Sequence, residues 1–222
     1  MSRARNRMTC IAAGLVLGLS VTGLGGEPAG SPADVAIRIG AIAPTSEQDW
    51  DGGVQIEGQC RFWQDEHVGV ALSVGMDQWH AREEYAESGD ASYAMVTLVS
   101  GDTTLIPIGV SLLYRMPISM HAQWVLEGGV RYVFVDSSVV ASLDYVDGAG
   151  GYYLEDTIRA ENFAQGVVGL SLEGSIDEPL RFMVGVSYQF DLTEPIETFD
   201  GEDLGATCFD AVVFKIGFSA DF

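Results

Sequence analysis

The chain has 222 residues, a net charge of −21 and a mean hydropathy of +0.18. Its length allows one barrel or one ordinary domain and excludes two large ones. The excess of acids disfavours nucleic-acid binding, because phosphate contacts need clustered lysine and arginine.

The N-terminus has the layout of a secretory signal peptide. Three arginines, at positions 3, 5 and 7, precede an apolar stretch, Ile11–Leu24, and small residues follow it. Because this stretch has 14 residues, it is shorter than the roughly 20 that a membrane-spanning helix needs. We therefore predict a leader over residues 1–26 that is cleaved at a boundary between 26 and about 30. Loss of its three arginines, with no acids, would leave a net charge of −24.

Beyond the leader, eight segments alternate between apolar and small or polar residues, which is typical of strands with two different faces. No apolar run there reaches 18 residues, so helical membrane spans are disfavoured. The lengths of the segments suit tilted strands that cross a bilayer. In chain order they are Val35–Ala41, Val54–Phe62, Val68–Met76, Ile106–Tyr114, Trp124–Phe134, Ala164–Leu172, Leu180–Phe190 and Val212–Phe222.

The connections between these segments alternate in length. Short ones lie at Gln64–His67, Pro117–His121 and Ser175–Pro179, and long ones at Pro44–Gly53, Gln78–Thr103, Asp136–Asn162 and Leu192–Asp210. Short periplasmic turns, longer extracellular loops and an even strand number are the topology of outer-membrane barrels. We therefore predict an all-β fold, an eight-stranded antiparallel up-and-down transmembrane β-barrel over residues 34–222. Tyr93–Val99 is predicted to be a strand extension or loop structure above the membrane, and Val139–Tyr145 with Tyr152–Ile158 a hairpin beyond the bilayer.

The residues of the polar face decide which side is the lumen. A soluble lipocalin-type barrel would also alternate, but its solvated exterior would carry many lysines and glutamates. Here that face is rich in small residues such as Gly69, Ser73 and Gly75. Small residues with a few large ones suit the narrow, filled interior of eight strands.

The large charged residues of this face are predicted to form a lumen charge network that packs the interior rather than gating it. Because an unpaired buried charge is costly, opposite charges should pair there. We expect Glu57 to lie between Lys215 and Arg38, and Glu127 and Arg131 to use partners on other strands. The predicted members are Arg38, Glu57, Arg61, Arg115, Glu127, Arg131, Glu173, Arg181 and Lys215.

These features resemble the small outer-membrane barrel families typified by OmpA, OmpX and OmpW. The likeness rests on the export signal, the segment Leu105–Pro117 and the ending Phe214–Phe222. It implies that Phe214, Ile216, Phe218 and the terminal Phe222 form the signal read by the barrel-assembly machinery. It also implies residence in the outer membrane of a Gram-negative-type bacterium, in contact with lipid and lipopolysaccharide, but no particular activity.

We therefore interpret the chain as a non-enzymatic outer-membrane barrel that supports envelope integrity or presents acidic extracellular loops. A narrow channel for small or apolar solutes, as resemblance to OmpW would imply, is the alternative. A lipid-modifying enzyme is less favoured, because it would need a nucleophile beside a base and the chain has only His67, His80 and His121. Cys60 and Cys208 are too few for a disulfide framework, and the sequence predicts no cofactor and no metal site.

Overall fold

The computed structural model describes residues 33–45, 50–82, 84–89, 93–147, 150–177, 179–199 and 201–221. The predicted leader and the terminal Phe222 lie outside the described residues. No helix within them is long and apolar enough to cross a membrane.

The described residues form fourteen strands. These are β1 (Ala33–Pro44), β2 (Trp50–Trp63), β3 (Val68–Ala81), β4 (Glu84–Gly89), β5 (Tyr93–Ser100), β6 (Asp102–Ser119), β7 (Ala122–Ser137), β8 (Val139–Asp147), β9 (Gly150–Ala160), β10 (Phe163–Asp177), β11 (Leu180–Asp191), β12 (Ile196–Phe199), β13 (Glu202–Ala206) and β14 (Ala211–Asp221).

Eight of these strands close into an antiparallel barrel in the order β1-β14-β11-β10-β7-β6-β3-β2. The first and last strands close it, with Ala36 opposite Ser219 and Ile39 opposite Ile216. Each of the eight predicted segments, as far as the described residues extend, lies in one barrel strand, so the predicted fold class is confirmed. We call the end that holds both the start of β1 and the end of β14 the proximal end, and the opposite end the distal end.

One predicted connection is shorter than expected. The long loop predicted at Pro44–Gly53 is reduced to residues 45–49, because β1 continues to Pro44 and β2 already begins at Trp50. On the side of β1 that pairs with β14, backbone hydrogen bonding continues beyond the end of the strand, because the backbone N–H of Thr45 donates to the carbonyl of Asp210.

A proximal turn shows how the short connections are fixed. The Asp65 carboxylate accepts hydrogen bonds from the backbone N–H groups of Val68 and His67, each at 2.7 Å. These bonds lower the pKa of Asp65 from its ordinary value, because they favour the charged carboxylate.

The two faces of the barrel wall differ as predicted. Outward residues are apolar and exposed, for example Ile39 at 55% and Leu112 at 67%, whereas Glu57 is 1% exposed in the lumen. Alternation of side chains along each strand produces this division. The prediction that the small and charged face is the lumen is therefore confirmed.

Six further strands form a second, open sheet, which we call the distal sheet, in the order β13-β12-β9-β8-β5-β4. Its β5 contains Tyr93–Val99, which is therefore a strand rather than a loop, and β8 and β9 form the predicted hairpin, with Asp147 opposite Gly150. The hairpin of β12 and β13 was missed, because strands of four and five residues are too short for a clear alternating pattern.

Candidate functional site: the barrel interior

A carboxylate in the middle of the lumen contacts three cations. Glu57 lies 2.7 Å from Arg38 Nη2, 3.1 Å from Arg131 Nη2 and 3.1 Å from Lys215 Nζ. Its side chain is almost completely buried, as are those of the three cations. The structure thus places Glu57 between Lys215 and Arg38, as predicted, and adds Arg131 as a third partner.

Glu127 forms the second carboxylate of this central cluster. It accepts hydrogen bonds from Arg38 Nη1 at 2.8 Å, Gln59 Nε2 at 2.9 Å and Ser111 Oγ at 3.0 Å. Glu127 and Arg131 therefore use partners on other strands rather than each other, as predicted. Arg38 joins the two carboxylates through different nitrogens of its guanidinium.

The small residues of the inner face make room for these long side chains. Gly109 lies opposite Arg131, and a Cβ at Gly109 would come within 2.5 Å of Arg131 Cγ. Gly40 lies opposite Lys215, where a Cβ would come within 2.7 Å of Val213 Cγ1. Alternation of small and large residues therefore fills the narrow lumen without overlap.

A second cluster lies nearer the proximal end. Arg61 donates hydrogen bonds to both Asp34 and Glu173. Asp34 also accepts a hydrogen bond from Trp63 Nε1 at 2.7 Å and lies 3.6 Å from Arg115 Nη2. The Arg115 guanidinium packs over the Trp63 ring, 3.6 Å from its centroid.

The nine predicted network residues thus divide between separate groups instead of forming one coupled set. Arg181 pairs with Asp221 at 2.5 Å, beside the proximal cluster. Within the described chain, no ion pair joins the central and proximal clusters. The reason is depth, because Glu57 and Arg61 are four residues apart on β2, about 13 Å at roughly 3.3 Å per residue.

An aromatic plug, formed by Trp50, Trp79, Phe163 and Phe209, fills the distal end of the lumen. The rings of Trp50 and Trp79 both pack against Phe209, with centroids 5.0 and 5.3 Å away, and Phe163 stacks on it at 5.3 Å. Val139 of the distal sheet belongs to the same buried cluster. Sequence reasoning missed this plug, although Trp79 and Phe163 continue the inward alternation of β3 and β10.

A small cavity lies beside the central cluster. A cavity of about 10 Å³ lies beside Arg38, Glu127 and Lys215, against Gly169 and Gly185 of the wall. That volume is about the space that one water molecule needs. The aromatic plug and the two charged clusters are buried and together occupy much of the lumen of the described barrel.

Two of the three histidine rings have identified hydrogen-bond partners. His80 Nδ1 lies 2.6 Å from Asp102 Oδ1 at the exposed distal end, and His67 Nδ1 lies 3.1 Å from the carbonyl of Arg115 in a turn. Among the described residues, no serine, threonine or cysteine side chain hydrogen-bonds to either ring.

The residues of the predicted assembly signal lie on the outer face of β14. Phe214, Ile216 and Phe218 are all exposed there, and the ring of Phe218 contacts Phe182 of the neighbouring strand. This position is compatible with recognition by another protein during assembly, and the signal itself stays a prediction.

Comparison with solved structures agrees with this architecture. Neisserial surface protein A is 10% identical, with a TM-score of 0.51 over 86% of this chain and 98% of its own. The outer membrane protein OprG from Pseudomonas aeruginosa is 14% identical, with a TM-score of 0.52 over 86% of this chain and 96% of its own. No protein-family model and no curated protein sequence matches the chain. At these identities the likeness concerns the fold, and the chain has the fold of the small eight-stranded outer-membrane β-barrels.

Proposed function

We propose that this chain is a non-enzymatic outer-membrane protein whose filled barrel anchors an acidic β-sheet at the cell surface. The filled lumen carries this proposal, because a barrel without an aqueous path serves as an anchor rather than a conduit. The exposed apolar band of the barrel wall suits contact with lipid, and with the acyl chains of lipopolysaccharide in the outer leaflet. The same anchor would support the integrity of the envelope.

The distribution of charge supports a surface role. Of the 11 lysine and arginine residues, three precede residue 27 and six are the lumen cations described above. The other two are Arg82, which pairs with Asp51 at 3.0 Å, and the exposed Arg159. Exposed acids at the distal end include Glu155, Glu161, Glu194, Glu202 and Asp203. Such a surface attracts cationic partners and repels anionic ones.

Epitope tags at the two ends test this orientation on intact cells. Gly201 lies in the exposed turn between β12 and β13, where a side chain would meet nothing within 4 Å, and Met120 lies in the proximal turn between β6 and β7. We expect antibody to bind the Gly201 tag on intact cells, and the Met120 tag only after permeabilisation. The reverse pattern, or recovery of the untagged protein in the soluble periplasmic fraction, would contradict the proposal.

Conductance discriminates the anchor from a narrow channel. Because the plug and the central cluster both fill the lumen, we expect the folded protein to give no stable single-channel steps in planar bilayers. A porin inserted into the same membranes serves as the positive control. Reproducible steps that scale with the amount of inserted protein would favour transport instead.

A further inference from the structure

The distal sheet follows the strand order of the barrel wall but leaves one side open. Along the chain, β4 follows β3, β5 precedes β6, β8 follows β7, β9 precedes β10, β12 follows β11 and β13 precedes β14. The order β13-β12-β9-β8-β5-β4 therefore repeats the barrel order β14-β11-β10-β7-β6-β3. The two barrel strands without a distal counterpart are β1 and β2, since only residues 45–49 connect them. The wall is therefore open beyond the distal ends of β1 and β2.

Two strand edges border this opening. β13 pairs with β12, and β4 pairs with β5. Within the described part of the chain, neither β13 nor β4 has a partner on its other side. All five residues of β13, Glu202–Ala206, are exposed, and Leu204 among them is 56% exposed. An edge of this kind presents a row of N–H and C=O groups that pair with an added strand.

The border of the opening is acidic. Glu202 and Asp203 are exposed on β13, and Asp51 is exposed at the distal start of β2. Two further glutamates belong to β4. Arg82, at the distal end of β3, pairs with Asp51. Because both edges carry acids, the charge opposes edge-to-edge association of two copies and favours a cationic partner.

The inner side of the distal sheet is apolar where it meets the barrel. Val139 of β8 is buried in the same cluster as the aromatic plug, and Ile158 and Ala160 of β9 pack against that cluster. On the outer side of β9, Glu155 and Arg159 are exposed. A strand added beside this sheet would turn alternate side chains inward and toward water. A segment in which apolar and basic residues alternate fits both environments.

We propose that the free edge of β13 binds an extended cationic peptide segment, in which basic and apolar residues alternate, as an added strand across the opening. The strand edge supplies main-chain hydrogen bonds, and the acids of the border supply charge complementarity. This inference rests on the proposed display of the distal sheet at the cell surface and names the class of partner that the sheet receives.

The test measures binding of a short fluorescent peptide of alternating lysine and valine to the full chain, folded in an uncharged detergent at physiological ionic strength. We expect saturable binding. A matched peptide of the same sequence and charge carries N-methyl groups on its backbone amides and so lacks the donors that strand pairing needs. It should bind at least about tenfold more weakly, because loss of several main-chain hydrogen bonds outweighs the unchanged charge.

Charge reversal on the protein tests the position of the site. The double variant Glu202→Lys with Asp203→Lys should weaken binding of the unmethylated peptide by about tenfold, because two attractive contacts become repulsive. The matched control, Glu155→Lys with Glu161→Lys, makes the same change of charge on β9 and in the turn after it. It should leave the affinity within about threefold, since separated charges are screened at this ionic strength.

Hydrogen exchange in the unsubstituted protein locates the bound peptide without any variant. The peptide should slow exchange of the backbone amides of Glu202–Ala206 and leave those of β6 and β7 unchanged. No binding, equal binding of the methylated peptide, or equal losses in the two charge variants would overturn the proposal. Protection of β13 that rises with protein concentration in the absence of peptide would also overturn it, because a second copy would then occupy the edge.

These measurements use purified protein and do not depend on its orientation in the membrane. A failure to bind the peptide is therefore distinguishable from a failure of the surface anchor, which the Gly201 tag reports on intact cells.

Discussion

Replacing Glu57 with glutamine is expected to destabilise the folded barrel by about 3 to 5 kcal/mol, the usual cost of breaking a buried ion pair from one side. Arg131 and Lys215 each have Glu57 as their ion-pair partner, whereas Arg38 keeps Glu127. The substitution therefore leaves two buried cations without a carboxylate. Refolding equilibria in denaturant measure the loss, and the matched control is Glu66→Gln in the exposed turn between β2 and β3.

A double-mutant cycle of Glu57→Gln with Lys215→Met distinguishes loss of the ion-pair network from general destabilisation of the barrel. Since Lys215 Nζ lies 3.1 Å from Glu57, removing both charges should cost clearly less than the sum of the single losses. Additive losses would show that the two side chains act independently, and the central cluster would then be no network.

Val184→Arg is expected to destabilise the membrane-inserted barrel by about 2 to 4 kcal/mol, because arginine near the bilayer midplane is costly on the lipid face of a barrel. Val184 lies near the middle of β11, points outward and is 44% exposed without lipid. Folding equilibria in lipid vesicles measure the effect. Leu204→Arg is the matched control, since Leu204 is also apolar, is 56% exposed and lies on β13 of the distal sheet.

The control should fold with little change, because Leu204 faces water rather than lipid. If Val184→Arg were as harmless as Leu204→Arg, the outward face of β11 would not be in contact with lipid. Modification of a cysteine placed at position 184 by a membrane-impermeant reagent would lead to the same conclusion.

The two predicted losses of stability have different physical causes. In the lumen, the penalty at Glu57 comes from charges that lose their partner within a filled interior. On the outer face, the penalty at Val184 comes from transfer of a new charge into hydrocarbon. Together they measure the two environments that the barrel wall separates.

The sequence by itself determined the barrel strands and their faces. A period of two along segments such as Leu180–Phe190 assigns each side chain to one side of the wall, and the small residues opposite identify the narrow interior. For the same reason, the pairing of neighbouring strands could be predicted from the sequence. Once β14 and β2 flank β1, Lys215, Arg38 and Glu57 come to similar depth, and the pairing of Glu57 with both cations follows.

Tertiary structure decided what depends on strands that are not neighbours. Arg131 on β7 reaches Glu57 on β2 across the lumen, and Arg61 pairs with Glu173 on β10, because the stagger of strands around a closed barrel sets which residues of distant strands share a depth. The alternating sequence pattern does not specify that stagger. The plug depends on it as well, since Phe209, in the connection that leads into β14, packs against Trp50, Trp79 and Phe163 of three other strands.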